Sequence, residues 1–343
     1  MAKKILVTGG TGYIGSHTVV ELQNKGYEVL IVDDLSNSNI EVLENISKIT
    51  GVKPVFEQIN LTDKQKTDNF FNRNQGIEAI IHFAASKAIC ESFQVPLHYY
   101  RNNLVSLINI IESQLKFNIP NIIFSSSCAV YGQSCILPIT EQTPLKDAGS
   151  PYGNTKKICE DILHDSATAH PQLKVITLRY FNPVGAHPTA LIGELQTGKP
   201  QTLVPVITRT AAGLHNEIEI FGGDYNTPDG SAIRDYINVV DLAKAHVISI
   251  ERLLNGRNET NYEVFNIGTG KGLSVLQVVK TFEKVTGLKL KYKIVKRRTG
   301  DIEKIWADTT RANSKLGWKA ETGLEETLLS AWNREKQLTV DSC

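Results

Sequence analysis

Residues 4–17 read KILVTGGTGYIGSH, and the fold turns on how this stretch is understood. Its apolar start suits a buried strand. Gly9, Gly10, Gly12 and Gly15 then lead into a segment, Ser16 to Lys25, whose apolar residues recur at helical spacing. Glycines between a strand and a helix let the backbone turn tightly and approach a pyrophosphate, which rests on the exposed N–H groups of the helix start. A Gly-rich turn alone is common, and a purely structural role is the bland alternative. What strengthens the motif is the next strand, YEVLIVDD at 27–34, which ends in Asp33. A carboxylate about 20 residues beyond such a loop accepts hydrogen bonds from the adenosine ribose hydroxyls and repels a 2′-phosphate. The expected cofactor is therefore NAD rather than NADP.

Outward from this stretch, short apolar runs alternate with helical ones. AIIHFAA at 79–85, NIIFSSS at 121–127 and KVITLRYFN at 174–182 read as strands, and Asn102 to Lys116 reads as a helix. That rhythm predicts an α/β fold, a Rossmann-type doubly wound parallel sheet covered on both faces. After Asn182 the rhythm breaks at Pro183, Pro188, Pro200 and Pro205, which predicts a smaller mixed α/β substrate-binding domain. The expected division is a nucleotide-binding domain over 1–182, with a return segment around 236–267, and a substrate domain mainly over 183–343. Within the latter, GLSVLQVVKTFEKVTG at 272–287 predicts a helix with a capping box at Ser274 and Gln277 and a stop at Gly287. KLKYKIVKRR at 289–298 predicts a half-exposed edge strand with a charged outer face.

The chain has 343 residues, with 41% hydrophobic and 21% charged residues, as in ordinary globular proteins. A formal net charge of +1 gives no footprint for nucleic acid or an anionic membrane. The N-terminal apolar run is too short for a signal peptide, and no stretch reaches the ~18 apolar residues of a membrane span. Five cysteines (90, 128, 135, 159 and 343) without a CxxC pair, and eight histidines without HxxxH, argue against a disulfide framework and a metal site. A reducing cytoplasm is the expected setting.

SPYGNTK at 150–156 places Tyr152 and Lys156 four apart at a helix entrance. The same spacing recurs at Tyr292 and Lys296, but in a strand pattern, where residues four apart sit about 13 Å from each other. On a helix they are neighbours. Free tyrosine, with a pKa near 10, is a poor base at neutral pH. An ammonium about 5 Å away, at an effective dielectric of about 20, stabilises phenolate by roughly 3 kcal/mol, or about two pKa units. Such a tyrosine exchanges protons with an alcohol near neutrality. NIIFSSSCAVYG supplies a partner: its strand ends in Ser125, Ser126 and Ser127 at the side of the sheet that faces the ligand crevice. A hydroxyl there can hold the oxygen that loses and regains a proton.

Together these motifs resemble the extended short-chain dehydrogenase/reductase superfamily, and within it the UDP-glucose 4-epimerase family. TGGTGYIGSH, HFAASKAICES, FSSSCAVYG, SPYGNTK, LRYFNPVGAHP, IFGGDYNTPDGSAIRDYINVVDLA and RTGDIEKIWAD carry the resemblance, in the family's order and up to about Trp332. It implies that Ser127, Tyr152 and Lys156 are the catalytic trio. It implies NAD contacts at Gly9, Gly12, Tyr13, Ile14, Gly15, Asp33, Asn37, Leu61, Phe83, Ala84, Lys87, Asn102 and Tyr180, and a UDP-hexose held by Asn182, Leu203, Phe221, Arg234, Tyr236, Arg298 and Asp301. It also implies a homodimer. The chain departs from the family at Asn60, where an aspartate usually contacts adenine. A second departure is Ile305, intermediate between the large tyrosine that shuts the sugar pocket and the small residue that admits an N-acetyl group. Activity on UDP-galactose and UDP-glucose is expected, and a UDP-N-acetylglucosamine or bifunctional 4-epimerase is the alternative. A 4,6-dehydratase would need an Asp-Glu pair just after the strand-end hydroxyl, where Cys128 and Ala129 stand. A dehydrogenase that releases reduced cofactor and a non-catalytic NAD sensor complete the rivals. The sensor would be expected to lack part of the trio.

Overall fold

The computed structural model describes residues 2–195, 200, 202–298 and 301–341. The first half runs β1 (Lys4–Thr8), α1 (Tyr13–Asn24), β2 (Glu28–Asp33), α2 (Glu41–Thr50), β3 (Val55–Gln58), α3 (Lys64–Arg73), β4 (Ile77–His82), α4 (Ile89–Gln94), α5 (Pro96–Lys116), β5 (Asn121–Ser125), α6 (Pro151–Ala169) and β6 (Lys174–Tyr180). The remainder runs β7 (Asn182–Val184), α7 (Leu203–Ala211), β8 (Ile218–Phe221), β9 (Ile233–Arg234), β10 (Tyr236–Asn238), α8 (Val239–Leu254), β11 (Tyr262–Ile267), β12 (Leu273–Ser274), α9 (Val275–Thr286), β13 (Tyr292–Val295) and α10 (Leu324–Asp341).

Seven strands form one parallel sheet in the order β11-β6-β5-β4-β1-β2-β3. Both faces are covered, which explains why its strands read as continuous apolar runs. Ile5, Val7, Ile31 and Ile81 pack on one side with Val19 of α1 and Ile250 of α8. Leu6, Leu30, Ile80 and Ile122 pack on the other with Phe70 of α3, Leu107 of α5 and Leu163 of α6. From β1 the chain turns one way to β2 and β3, then crosses to β4 on the other side. The crevice at that switch point lies outside the carboxyl ends of β1 and β4, where such sheets bind ligands.

After β6 the chain leaves the sheet at β7, which pairs in parallel with β10, and re-enters it through α8 and β11 beside β6. A second core gathers Val204 and Ile207 of α7, Ile218 and Ile220 of β8, Val279 and Phe282 of α9 and Leu328 of α10. The expected capping box is present: Gln277 N donates to Ser274 Oγ at 3.1 Å, and Ser274 N donates to Gln277 Oε1 at 2.8 Å. Gly287 ends α9 with φ 73°. A small cluster of Val130, Tyr131, Ile139, Phe181, Ile305 and Ala307 packs between the main sheet and the second region.

Element ends differ from the sequence reading where a polar or aromatic turn hides the period. The helix expected from Asn102 begins at Pro96, whose fixed φ and missing N–H suit the first helical position. The helix expected from Ser16 begins at Tyr13, directly off Gly12. In the 289–298 stretch the strand is Tyr292–Val295 alone, paired in parallel with β8. Tyr292, the decoy of the second Y-x-x-x-K, is 42% exposed on it. Cys90, Cys128, Cys135 and Cys159 are free, and Cys343 lies outside the described residues.

Candidate active site

The turn between β1 and α1 builds a cradle. Gly9 sits at φ +71°, and a Cβ there would stand 2.8 Å from the Ala84 backbone nitrogen. A Cβ on Gly15 would run into the Gly9 carbonyl oxygen and lie 2.9 Å from Gly10 Cα. Gly12 caps α1 in extended conformation and offers no side-chain cap to the first N–H groups of the helix. Asp33 faces the loop: its Oδ2 accepts from Thr11 N at 3.2 Å, and its Oδ1 from Leu35 N at 3.0 Å and Ser38 Oγ at 3.3 Å. An uncapped helix start, a backbone that tolerates no Cβ and a carboxylate held at the next strand end are the donor and acceptor set of a dinucleotide. The residues present therefore fit NAD.

Other expected contacts surround this cradle. Asn37 lies in the turn after β2. Asn60 and Leu61 follow β3 beside Asp33, whose carbonyl accepts from Ile59 N at 3.0 Å. Asn60 is exposed, and its Oδ1 takes Thr62 N at 2.9 Å and Thr62 Oγ1 at 2.7 Å. Leu61 is buried, and its carbonyl accepts from Asn109 Nδ2 at 2.7 Å. Ile14 packs against the first core, so its backbone rather than its side chain faces the cradle. The Tyr13 hydroxyl donates to Gly185 O at 2.6 Å, fastening the cradle to the loop after β7. Lys87 sits over the Tyr13 ring at 5.9 Å and pairs with Glu194 at 3.9 Å. Phe83 and Ala84 line the carboxyl end of β4, with Phe83 N bonded to Thr8 O at 3.0 Å. Asn102 Nδ2 donates to Ser86 Oγ at 3.2 Å.

The trio comes together at the carboxyl end of β5 and the first turns of α6. Ser150 caps α6, accepting from Gly153 N at 3.1 Å, and Pro151 occupies its first position. Tyr152, Lys156 and Ser127 are all buried, at 7%, 4% and 9% exposure. The Ser127 hydroxyl lies near enough to Tyr152 to favour its ionised form, and it accepts from Ala129 N at 3.2 Å. Lys156 Nζ donates to Ser125 O at 2.7 Å and lies 4.9 Å from the Phe124 ring centre. Ser125 Oγ donates to the Tyr180 hydroxyl at 3.0 Å.

The expected lowering of the tyrosine is not what the protein alone shows. Burial raises the Tyr152 phenol well above its ordinary value, Tyr180 adds to the rise, and only the Ser127 hydroxyl opposes it appreciably. Burial also pulls Lys156 down, from the usual 10.5 to about 8, against the opposing pull of Cys159 and Glu160. Desolvation, invisible in a spacing, is the largest cause of both shifts.

Four residues that the sequence reading did not single out hold this centre in place. Glu160, one turn beyond Lys156, accepts from Ser126 Oγ at 2.5 Å, and Arg179 binds it through Nε at 3.0 Å and Nη2 at 2.5 Å. Asn103 Nδ2 donates to Thr155 Oγ1 at 2.9 Å and to Ser86 O at 3.1 Å, while Thr155 Oγ1 donates to Tyr152 O at 2.7 Å. A glutamate in the middle of an amphipathic helix reads as solvated, and nothing local in the sequence marks it as buried.

Across the crevice, Arg234 Nη2 donates to Asp301 Oδ1 at 2.6 Å, and Arg298 approaches Asp301 Oδ2 at 3.5 Å while lying 4.5 Å over the Phe221 ring. Asn182 pairs with Tyr236 in the β7–β10 ladder. Tyr236 is buried, which raises its phenol above the ordinary value. The Arg234 charge opposes the burial that pushes up the thiol of Cys128, the neighbour of Ser127. Ile305 is 2% exposed, packed in a small core with Val130, Tyr131 and Phe181. Leu203 stands at the first turn of α7, half-buried against the second core.

Comparison with known proteins agrees with this geometry. Residues 5–268 match the family model described as the NAD dependent epimerase/dehydratase family. The UDP-glucose 4-epimerase of Bacillus subtilis is 48% identical over 328 residues, covering 96% of this chain and 95% of that protein. A UDP-glucose 4-epimerase from Stenotrophomonas maltophila, solved with bound NAD and formylated UDP-arabinopyranose, superposes with a TM-score of 0.95 at 42% identity over 99% of each chain. One from Bifidobacterium longum, solved with NAD+ and UDP, gives a TM-score of 0.93 at 43% identity, over 97% of this chain and 98% of that one.

Proposed function

Because this chain belongs to the NAD dependent epimerase/dehydratase family, we propose that it interconverts UDP-galactose and UDP-glucose by oxidation at C4, turning of the 4-keto sugar and reduction on its other face. What supports the reading is the burial of Ser127, Tyr152 and Lys156 where β5 ends and α6 begins, together with the glycine cradle after β1. Bound NAD supplies the acceptor and donor of the C4 hydride and is not consumed over a turnover. Tyr152 takes the proton from the C4 hydroxyl and later returns it to the C4 oxygen. Ser127 bonds that oxygen and fixes the tyrosine hydroxyl. Lys156 supplies positive charge against the burial that otherwise keeps Tyr152 a phenol.

The nucleotide-binding role falls to 1–182 with the return over 236–267, where Gly9, Gly12, Gly15 and Asp33 hold the pyrophosphate and ribose. Tyr13, Ile14, Asn37, Asn60, Leu61, Phe83, Ala84, Lys87, Asn102 and Tyr180 complete the cofactor contacts. The substrate role falls mainly to 183–343. Arg234 and Arg298, prealigned by Asp301, suit the UDP diphosphate, with Asn182, Leu203, Phe221 and Tyr236 around the nucleotide. Cys128 and Ala129 speak against a dehydratase: one has no acid and burial pushes the other's thiol up to about 12. Ile305, buried with Val130, Tyr131 and Phe181, is the residue on which we expect the breadth of the sugar pocket to turn.

The purified protein, with no NAD added, is to be given UDP-galactose and UDP-N-acetylgalactosamine together and followed by NMR. UDP-glucose alone means that Ile305 closes the pocket, and both epimers mean a bifunctional enzyme. Neither product from folded, NAD-loaded protein refutes the reading.

We infer further that the working form is a homodimer. Ile89, Phe93 and Leu97 of α4 and α5 are 50%, 54% and 80% exposed, and Ile108, on the Leu97 side of α5, is 38% exposed. Such a stripe is what a second copy would cover. Leu97→Asp is expected to give a monomer by light scattering; a dimer that survives it would contradict this interface. Among the described residues no helix is long and apolar enough to cross a membrane. Four free thiols suit a reducing cytoplasm.

A further inference from the structure

The carboxyl end of β5 is fastened twice to α6. Lys156 Nζ holds the Ser125 carbonyl at 2.7 Å, and one turn on, Glu160 Oε1 holds the Ser126 hydroxyl at 2.5 Å. Ser127 follows directly. Glu160 is itself gripped by Arg179 of β6, with both side chains under 10% exposed, at 3% and 7%. Arg179 Nη1 also donates to the Tyr131 hydroxyl at 3.0 Å, which in turn donates to Asn266 Oδ1 of β11 at 2.7 Å. Asn266 is anchored through its side-chain amide to Ile139 O at 2.9 Å and through its backbone N–H to Glu141 Oε1 at 2.7 Å.

Three members of this chain of bonds neighbour a working residue. Ser126 precedes Ser127, Glu160 lies one turn from Lys156, and Arg179 precedes Tyr180. A buried ion pair is a poor source of net stability, because the cost of desolvating both charges offsets their attraction. A fixed fork of charge-assisted bonds does give geometric definition. A pair retained for stability alone would also have no need of a hydroxyl on the segment that carries Ser127.

We propose that the Glu160–Arg179 pair is a positioning device for the C4 chemistry: through the Ser126 hydroxyl it sets the strand end that presents Ser127 to the substrate oxygen and to Tyr152. Ser126, Glu160 and Arg179 are positioning residues, since each acts through a neighbour. The inference rests on the epimerase reading above.

The test is a four-member cycle of the parent, Ser126→Ala, Ser127→Ala and the double variant, with kcat, KM and bound NAD measured for each. Ser126→Ala removes one hydroxyl and leaves the ion pair intact, so folding is preserved, which a thermal melt checks. It is expected to lower kcat about tenfold, as misplacement of a catalytic group by a fraction of an ångström does, with KM for UDP-galactose and NAD content within about twofold of the parent. In the Ser127→Ala background the same change is expected to cost less than about twofold, because the residue through which Ser126 acts is already gone. A Ser126→Ala enzyme as fast as the parent overturns the proposal. So does a loss of the same size in both backgrounds, which marks a general packing defect. A parent protein that holds NAD but inverts no UDP-sugar removes the functional reading, and this inference with it.

Discussion

Gly15→Ala puts the largest local demand on the cradle for the smallest chemical change. Its Cβ would collide with the Gly9 carbonyl oxygen and lie 2.9 Å from Gly10 Cα and 3.0 Å from the Gly9 carbonyl carbon. Carbon atoms prefer separations of about 3.5–4.0 Å, so the Gly9–Gly10 segment must retreat by at least about half an ångström. Backbone has no rotamer with which to yield. Overpacking of this kind costs about 1–3 kcal/mol of stability. The cost to cofactor binding comes from the same shift. A hydrogen bond to a charged group contributes about 1.5–3 kcal/mol, so a single N–H moved off the pyrophosphate weakens NAD binding by about 10- to 150-fold. Gly12→Ala meets only the Gly9 oxygen at 3.2 Å, and Gly323→Ala meets nothing within 4 Å. Retention of NAD through purification, read by absorbance after denaturation, is expected to fall in the order Gly323→Ala, Gly12→Ala, Gly15→Ala. A Gly15→Ala protein that keeps NAD as the parent does would refute the cradle.

Three further outcomes follow from the same geometry. Tyr152→Phe is expected to keep NAD and lose about 10²- to 10⁴-fold in kcat, the range of general acid–base contributions; kcat within a few-fold of the parent would remove Tyr152 from the chemistry. Lys156, depressed from 10.5 to about 8, binds fewer protons folded than unfolded between those values, so its burial costs stability below that window and the cost fades as pH rises through it. In nucleotide-free protein, Lys156→Met is therefore expected to be more stable near pH 7 by about 1–3 kcal/mol, allowing for the orphaned Ser125 carbonyl, with the gap narrowing by about pH 9.5 in urea unfolding. A gap that widens with pH would contradict the assigned direction. Glu160→Gln leaves Arg179 buried without a countercharge and is expected to cost about 3–5 kcal/mol in unfolding free energy, against which a variant as stable as the parent would count.

The sheet was legible because its strands are buried on both faces and read as apolar runs with glycines at their ends. β3 escaped notice as a four-residue edge strand, and the two- and three-residue pairs β9–β12 and β7–β10 are too short for any period. The trio was read from a different cue: residues four apart on a helix share a face, and Tyr152 and Lys156 are both buried on α6. Their electrostatics were not legible, since burial depends on what α5, β4 and β5 place over them. The Glu160–Ser126 and Asn103–Thr155 bonds link residues 34 and 52 positions apart, a separation at which spacing carries no information.

The central claim is that C4 is inverted by a hydride that never leaves the protein. UDP-galactose carrying deuterium at C4, incubated in ordinary water with the purified protein and no added NAD, tests it most directly. The account predicts UDP-glucose with the deuterium still at C4 and no build-up of reduced cofactor. Product with hydrogen from solvent at C4, or net accumulation of reduced cofactor, would contradict it.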